Sequence, residues 1–91
     1  MPVYSISYDL KDSKQDIYDE LEDRITSNSS DSVKYAETSW IVKSNHSCAS
    51  DLCSAIIPSP KKGDRILVIK VDNDKQGWLT ESQWAKINSM F

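Results

Sequence analysis

Tyr4, Ile6 and Tyr8 alternate with Val3, Ser5 and Ser7 near the start of the chain. Residues 2–8 therefore read as a strand whose aromatic face is buried and whose serine face is only partly covered. A chain that opens this way needs a layer of helices over one side of a sheet, which excludes an all-helical bundle. Asp9 continues the serine face, and a polar break at Lys11 to Ser13 follows. A carboxylate is thus expected at the carboxyl edge of the first strand.

The remaining patterns complete a βαββαβ order. Ser13 or Asp12 can cap a helix that is acidic at Asp16, where the helix dipole favours a carboxylate. Ile17, Leu21 and Ile25 form its apolar stripe, widened by Tyr18. Thr26 to Ser32 is a polar loop. Val33–Ala36 and Trp40–Lys43 read as two strands, with Glu37-Thr38-Ser39 as a turn or bulge between them. Asn45 to Ser47 supplies caps for a second helix carrying Ala49, Leu52, Cys53, Ile56 and Ile57, which Pro58 ends. Arg65-Ile66-Leu67-Val68-Ile69-Lys70-Val71 is almost continuously apolar and β-branched, as expected of a strand in the middle of a sheet. Thr80-Glu81-Ser82-Gln83 has capping-box spacing and opens a last helix bearing Trp84, Ile87 and Phe91. The expected fold is α+β, a ferredoxin-like βαββαβ sandwich with a C-terminal helix, in a single domain over residues 1–91.

Two helices over one face leave the other face half apolar. By alternation it is expected to carry Val3, Ser5, Ser7, Ile66, Val68 and Lys70, with Asp9 at its rim. A second subunit or the Trp78 to Phe91 segment should cover it. With only 91 residues the core is small, and oligomerisation is a common remedy, so a homodimer is expected.

Composition narrows the function classes. A net charge of −3 and a pI near 5.0 exclude a protein that coats nucleic acid along its whole surface. Charge is uneven, however. Residues 1–45 hold nine acids and five bases, whereas residues 46–91 hold five acids and six bases. A phosphate-facing surface should come from the second half, with Lys61, Lys62, Arg65 and Lys70 as the nucleic-acid-binding candidates and Lys43 beside them. No apolar run approaches the length of a membrane span, and no leader pattern is present, so a soluble cytoplasmic protein without membrane contact is expected. Cys48 and Cys53 fall about 140° apart around a helix and should remain unbridged thiols, in keeping with that compartment.

Asp9 is the candidate catalytic and metal-binding residue. At a strand end beside a subunit seam it could meet its symmetry mate, and facing carboxylates bind a hard cation such as Mg²⁺, which can activate water for phosphodiester attack. The structural alternative is that Asp9 stops the strand or caps a turn. His46, Cys48 and Cys53 lack the paired spacings of a zinc site. The single histidine and the absence of a partner base for Ser5, Ser7 or Ser39 argue against a serine or cysteine hydrolase. Trp40, Trp78 and Trp84 could stack on bases if exposed, but in so small a core large aromatics usually fill it.

Tyr-Ser-Ile-Ser-Tyr-Asp-Leu at 4–10, Glu-Thr-Ser-Trp-Ile-Val at 37–42, Gly77-Trp78 and Trp84 together resemble the small bacterial SinR-like proteins. Those are similar in turn to the CRISPR-associated adaptation subunit of the Cas-two type and to virulence-associated protein D. The resemblance implies a ferredoxin-like homodimer joined through its sheet faces, with metal-dependent endoribonuclease or endonuclease activity linked to the aspartate that closes strand one, here Asp9. The adaptation subunit can also act as a non-catalytic scaffold for DNA and an integrase, so fold alone does not choose between activities. Two expectations follow: a homodimer that binds or cuts RNA or DNA with Mg²⁺ at Asp9, or a non-catalytic assembly or regulatory module that binds a protein partner. The acidic balance and the scarcity of arginine, Arg24 and Arg65 alone, weigh toward the second.

Overall fold

The aromatic–serine alternation does produce a two-faced strand at the centre of the molecule. A computed structural model describes residues 1–12 and 14–91. The elements are β1 (Val3–Asp9), α1 (Gln15–Ser27), β2 (Asp31–Ala36), β3 (Ser39–Lys43), α2 (Ala49–Ile56), β4 (Arg65–Val71) and α3 (Glu81–Met90). The fold is α+β, with one four-stranded antiparallel sheet of order β2-β3-β1-β4 and three helices. The β1–α1–β2 connection passes over β3, and the β3–α2–β4 connection passes over β1. Each of these helices therefore joins two parallel strands that have a third strand between them. None of the helices is long and apolar enough to cross a membrane among the described residues.

Tyr4, Ile6 and Tyr8 of β1 and Trp40 and Val42 of β3 are buried beneath Leu21 and Ile25 of α1 and Leu52 and Ile56 of α2. Full burial of each such aliphatic side chain stabilises the fold by roughly 1.5–3 kcal/mol. Within this core the Trp40 indole N–H donates to the Tyr8 hydroxyl at 3.0 Å, so neither polar atom is left unpaired.

Helix α1 starts one residue later than its expected caps. Lys14 occupies the N-cap position without a side-chain cap bond, while the Asp12 carboxylate accepts from the Lys14 N–H at 3.1 Å. Ser13, the other expected cap, lies outside the described residues. The polar tract at 26–32 is less of a loop than its composition suggests. Thr26 and Ser27 remain helical, and the Asn28 amide and Ser29 hydroxyl donate to the Arg24 and Ile25 carbonyls, satisfying the last turn of the helix. The capping box at Thr80 and Gln83 is present.

Two sequence expectations are corrected. Arg65–Val71 is not a central strand: β4 is one edge of the sheet, and β1 and β3 are the central strands. Its parity also differs from the expected one. Register pairs Tyr8 with Ile66, Ile6 with Val68 and Tyr4 with Lys70, which places those three β4 residues on the helix-covered face. Arg65, Leu67, Ile69 and Val71 share the open face with Asp9, Ser7, Ser5 and Val3. An unbroken apolar run carries no alternation, so its pattern could not fix which side chains face in, and a shift of one residue exchanges the faces.

Helix α3 lies on that open face, over β2 and β3. Ile87 and Met90 are buried there, and the Lys86 ammonium sits 3.4 Å from the Asp31 carboxylate. On the β1–β4 half Val3 is buried and Val71 half-buried, whereas Leu67 and Ile69 stay 57% and 47% exposed.

Candidate nucleic-acid interface

Antiparallel pairing of β1 with β4 brings the exit from one strand beside the entrance to the other. Asp9 and Arg65 are cross-strand partners on the open face, and both are exposed. Residues just past Asp9 and just before Arg65 must therefore share one end of the sheet. Lys11, Asp12, Lys14 and Lys61 line a recess of about 530 Å³ there. Lys62 is exposed in the same turn.

Asp64 holds this end together. Its carboxylate accepts from the Lys61 N–H at 2.8 Å and from the Lys11 N–H at 3.0 Å. Those bonds, the one from Lys61 first, pull its pKa below the ordinary carboxylate value, because they stabilise the charged form. Gly63 makes the turn possible. Its φ is +95°, a backbone conformation that side-chain-bearing residues rarely adopt, so the turn favours glycine there.

The structure brings Asp9, Lys61, Lys62 and Arg65 together at this end. It separates Lys70, which pairs with Tyr4 near the opposite end and on the other face. The Lys70 ammonium donates to the Ser47 carbonyl at 2.9 Å and stands 6.0 Å from the centre of the Tyr4 ring. Lys43 also lies at that far end, opposite Val3. Lys11, part of the polar break at Lys11 to Ser13, and Lys14 belong to the cationic end as well. The signal was the antiparallel relation of β1 and β4, which composition alone does not reveal.

Among the described residues no three His, Cys, Asp or Glu side chains are placed to hold a metal ion together. Asp9 offers one carboxylate per chain. Mg²⁺ commonly takes one or two carboxylates and completes its shell with water and phosphate oxygens, so Asp9 meets the minimum, with the Arg65 guanidinium as a competing neighbour.

His46 serves the fold. Its Nε2 and the Asn28 Oδ1 are 3.0 Å apart, and its carbonyl accepts from the Tyr4 hydroxyl at 2.7 Å. Burial raises the pKa of that hydroxyl, with smaller contributions from Cys48 and Asp51. Arg24 is likewise occupied, its Nε donating to the Ile56 carbonyl at 2.6 Å at the end of α2. Trp40 is buried and Trp84 half-buried, whereas Trp78 is 99% exposed. The expectation that tryptophans fill the core holds for Trp40 and fails for Trp78.

No protein-family model matches the chain, and neither a curated protein nor a solved structure matches it.

Proposed function

We propose that this is a homodimeric, cytoplasmic, nucleic-acid-associated protein built on a ferredoxin-like architecture. The order β2-β3-β1-β4 and the two crossovers that each skip one strand support that architecture. The observation that carries the functional reading is the recess lined by Lys11, Lys14 and Lys61 beside exposed Arg65 and Lys62. Five cations surround three carboxylates there, and one carboxylate, Asp64, is already occupied by backbone N–H groups. Locally the end is basic although the chain is acidic, which suits contact with a few phosphates of RNA or DNA.

Metal-dependent cleavage is the stronger form of the same reading. In it Asp9 would hold Mg²⁺, which would supply charge stabilisation at the phosphate and a more acidic bound water, and Arg65 and Lys61 would orient the phosphate. Fluorescence anisotropy with a labelled oligonucleotide tests the binding step. Association at low salt that weakens in Lys11→Ala and Lys61→Ala supports the proposal, and absence of association at low salt overturns it.

A non-catalytic assembly module is the second reading. Fully exposed Trp78 favours it, because amphipathic aromatics with that much free surface are common anchors in protein interfaces.

A further inference from the structure

A cavity of about 320 Å³ lies on the open face of the sheet, apart from the basic recess. The sheet supplies Ser5, Tyr35 and Ile41 to its lining, and the α3 segment supplies Trp84, Ile87 and Phe91. The loop that leaves β4 completes it, with Asp72 and Asp74 among the lining residues. Its volume is that of a small-molecule site, a class that begins at roughly 300 Å³. Three aromatic rings suit a planar group, and the charges beside them say which kind. Asp72 and Asp74 are exposed and form no ion pair among the described residues. The Lys75 ammonium, the cation of the lining, is already engaged: it donates to Asn73 Oδ1 and stands 4.7 Å from the centre of the Phe91 ring. Free carboxylates repel phosphate and accept from amino groups, so the cavity fits a neutral ring that carries N–H donors.

The sheet connects this cavity to the phosphate-facing end. Ser5, Ser7 and Asp9 share one face of β1 by alternation, together with their β4 partners Ile69, Leu67 and Arg65. Ser5 lines the cavity, whereas Ser7, Asp9, Arg65 and Leu67 border a shallow depression further along the same strand. The recess at Lys11 and Lys61 follows beyond Asp9. Ser5 and Asp9 are separated by about 14 Å of strand, which an extended chain of a few nucleotides spans. Leu67 and Ile69, exposed on β4 between the two ends, give the intervening bases an apolar surface.

We propose that the cavity holds one unstacked base of a single-stranded nucleic acid whose phosphates lie on Arg65, Lys61 and Lys11, and that it selects a base with an exocyclic amino group. This rests on the nucleic-acid reading above and adds the substrate class, single strand rather than duplex. A base stacked inside a duplex cannot present its faces to Tyr35, Trp84 and Phe91, whereas a base of a single strand can. Cytosine and adenine carry an amino group that donates to Asp72 or Asp74. Uracil has a carbonyl oxygen at that position, which sets one acceptor against another.

Fluorescence anisotropy on the full chain at low salt, with end-labelled oligocytidylate, oligouridylate and a duplex of the same length, tests this. Oligocytidylate should bind about tenfold more tightly than either of the others. Tyr35→Leu and Trp84→Leu keep an apolar side chain but remove a ring, and each should weaken oligocytidylate binding about fivefold while leaving the circular dichroism spectrum unchanged. In Asp72→Ala/Asp74→Ala the preference for oligocytidylate over oligouridylate should fall to about one. In Trp78→Phe, whose folding does not depend on Trp84 being replaced, oligocytidylate should still quench indole emission, because Trp84 stacks on the base. Absence of association with any strand overturns the nucleic-acid reading and this site together. Association that is as tight for the duplex, or that is unchanged in Tyr35→Leu and without quenching in Trp78→Phe, overturns the site and leaves the phosphate-facing end in place. Equal binding of the two homopolymers by the wild type overturns the amino-group selection alone.

Discussion

Asp64 accepts a hydrogen bond from the backbone N–H of Lys11 at 3.0 Å, across a separation of 53 residues in sequence. With the second bond, from the Lys61 N–H, it fixes the turn that enters β4 against the segment that leaves β1. Both bonds favour the carboxylate, so its folded pKa is lowered. A lowered folded pKa gives stability that is present above the unfolded value and lost as pH falls through the folded one. The urea midpoint of the wild type should decline as pH drops below the ordinary carboxylate range, ~4. Asp64→Asn, which keeps an acceptor but no titrating group, should show a smaller decline over the same interval.

Gly63 is the backbone half of that turn. Its positive φ opposes a side chain, and the flexible Lys11 side chain beside it would have to move. Gly63→Ala should cost about 1–2 kcal/mol, read from chemical denaturation. An unchanged midpoint would mean that the turn relaxes freely.

Ser44 is the one fully buried polar residue among those described. Its hydroxyl donates to the Asn28 carbonyl at 2.7 Å and accepts from the His46 N–H at 3.3 Å, tying the end of α1 to the approach to α2. Ser44→Ala leaves both partners unsatisfied and should destabilise the protein by about 1–3 kcal/mol in equilibrium unfolding.

Alternation made β1, and helical spacing made α1, α2 and α3, legible in the sequence, because each signal is local. Asp9 on the serine face was legible for the same reason. The face of Ile66 and Val68 was not, since an apolar run with no period leaves parity to the register with β1. The place of β4 at the edge was also hidden, because its two apolar faces mimic a central strand. Lys11 and Lys14 were missed for a different cause. Lys11 reaches Lys61 through the Asp64 bonds, with Lys14 beside it in the recess, and a contact across more than 50 residues leaves no mark in a local window.

Asp9 separates binding from cutting. Because it is exposed and its strand pair with Arg65 is a backbone one, Asp9→Asn should leave folding and oligonucleotide affinity within about twofold of wild type. It should abolish Mg²⁺-dependent cleavage, followed on end-labelled RNA and DNA. Equal cutting by both proteins would remove Asp9 from any catalytic role.

The most direct test of the central claim is the salt dependence of oligonucleotide binding in wild type and in Lys11→Ala/Lys61→Ala. Neutralising a phosphate releases counterions, so the slope of log affinity against log salt should become shallower by about 0.7 for single strands for each lysine removed from the interface. The account predicts a measurable slope in the wild type and a loss of about 1.4 in the double variant. Identical slopes in the two proteins would contradict it.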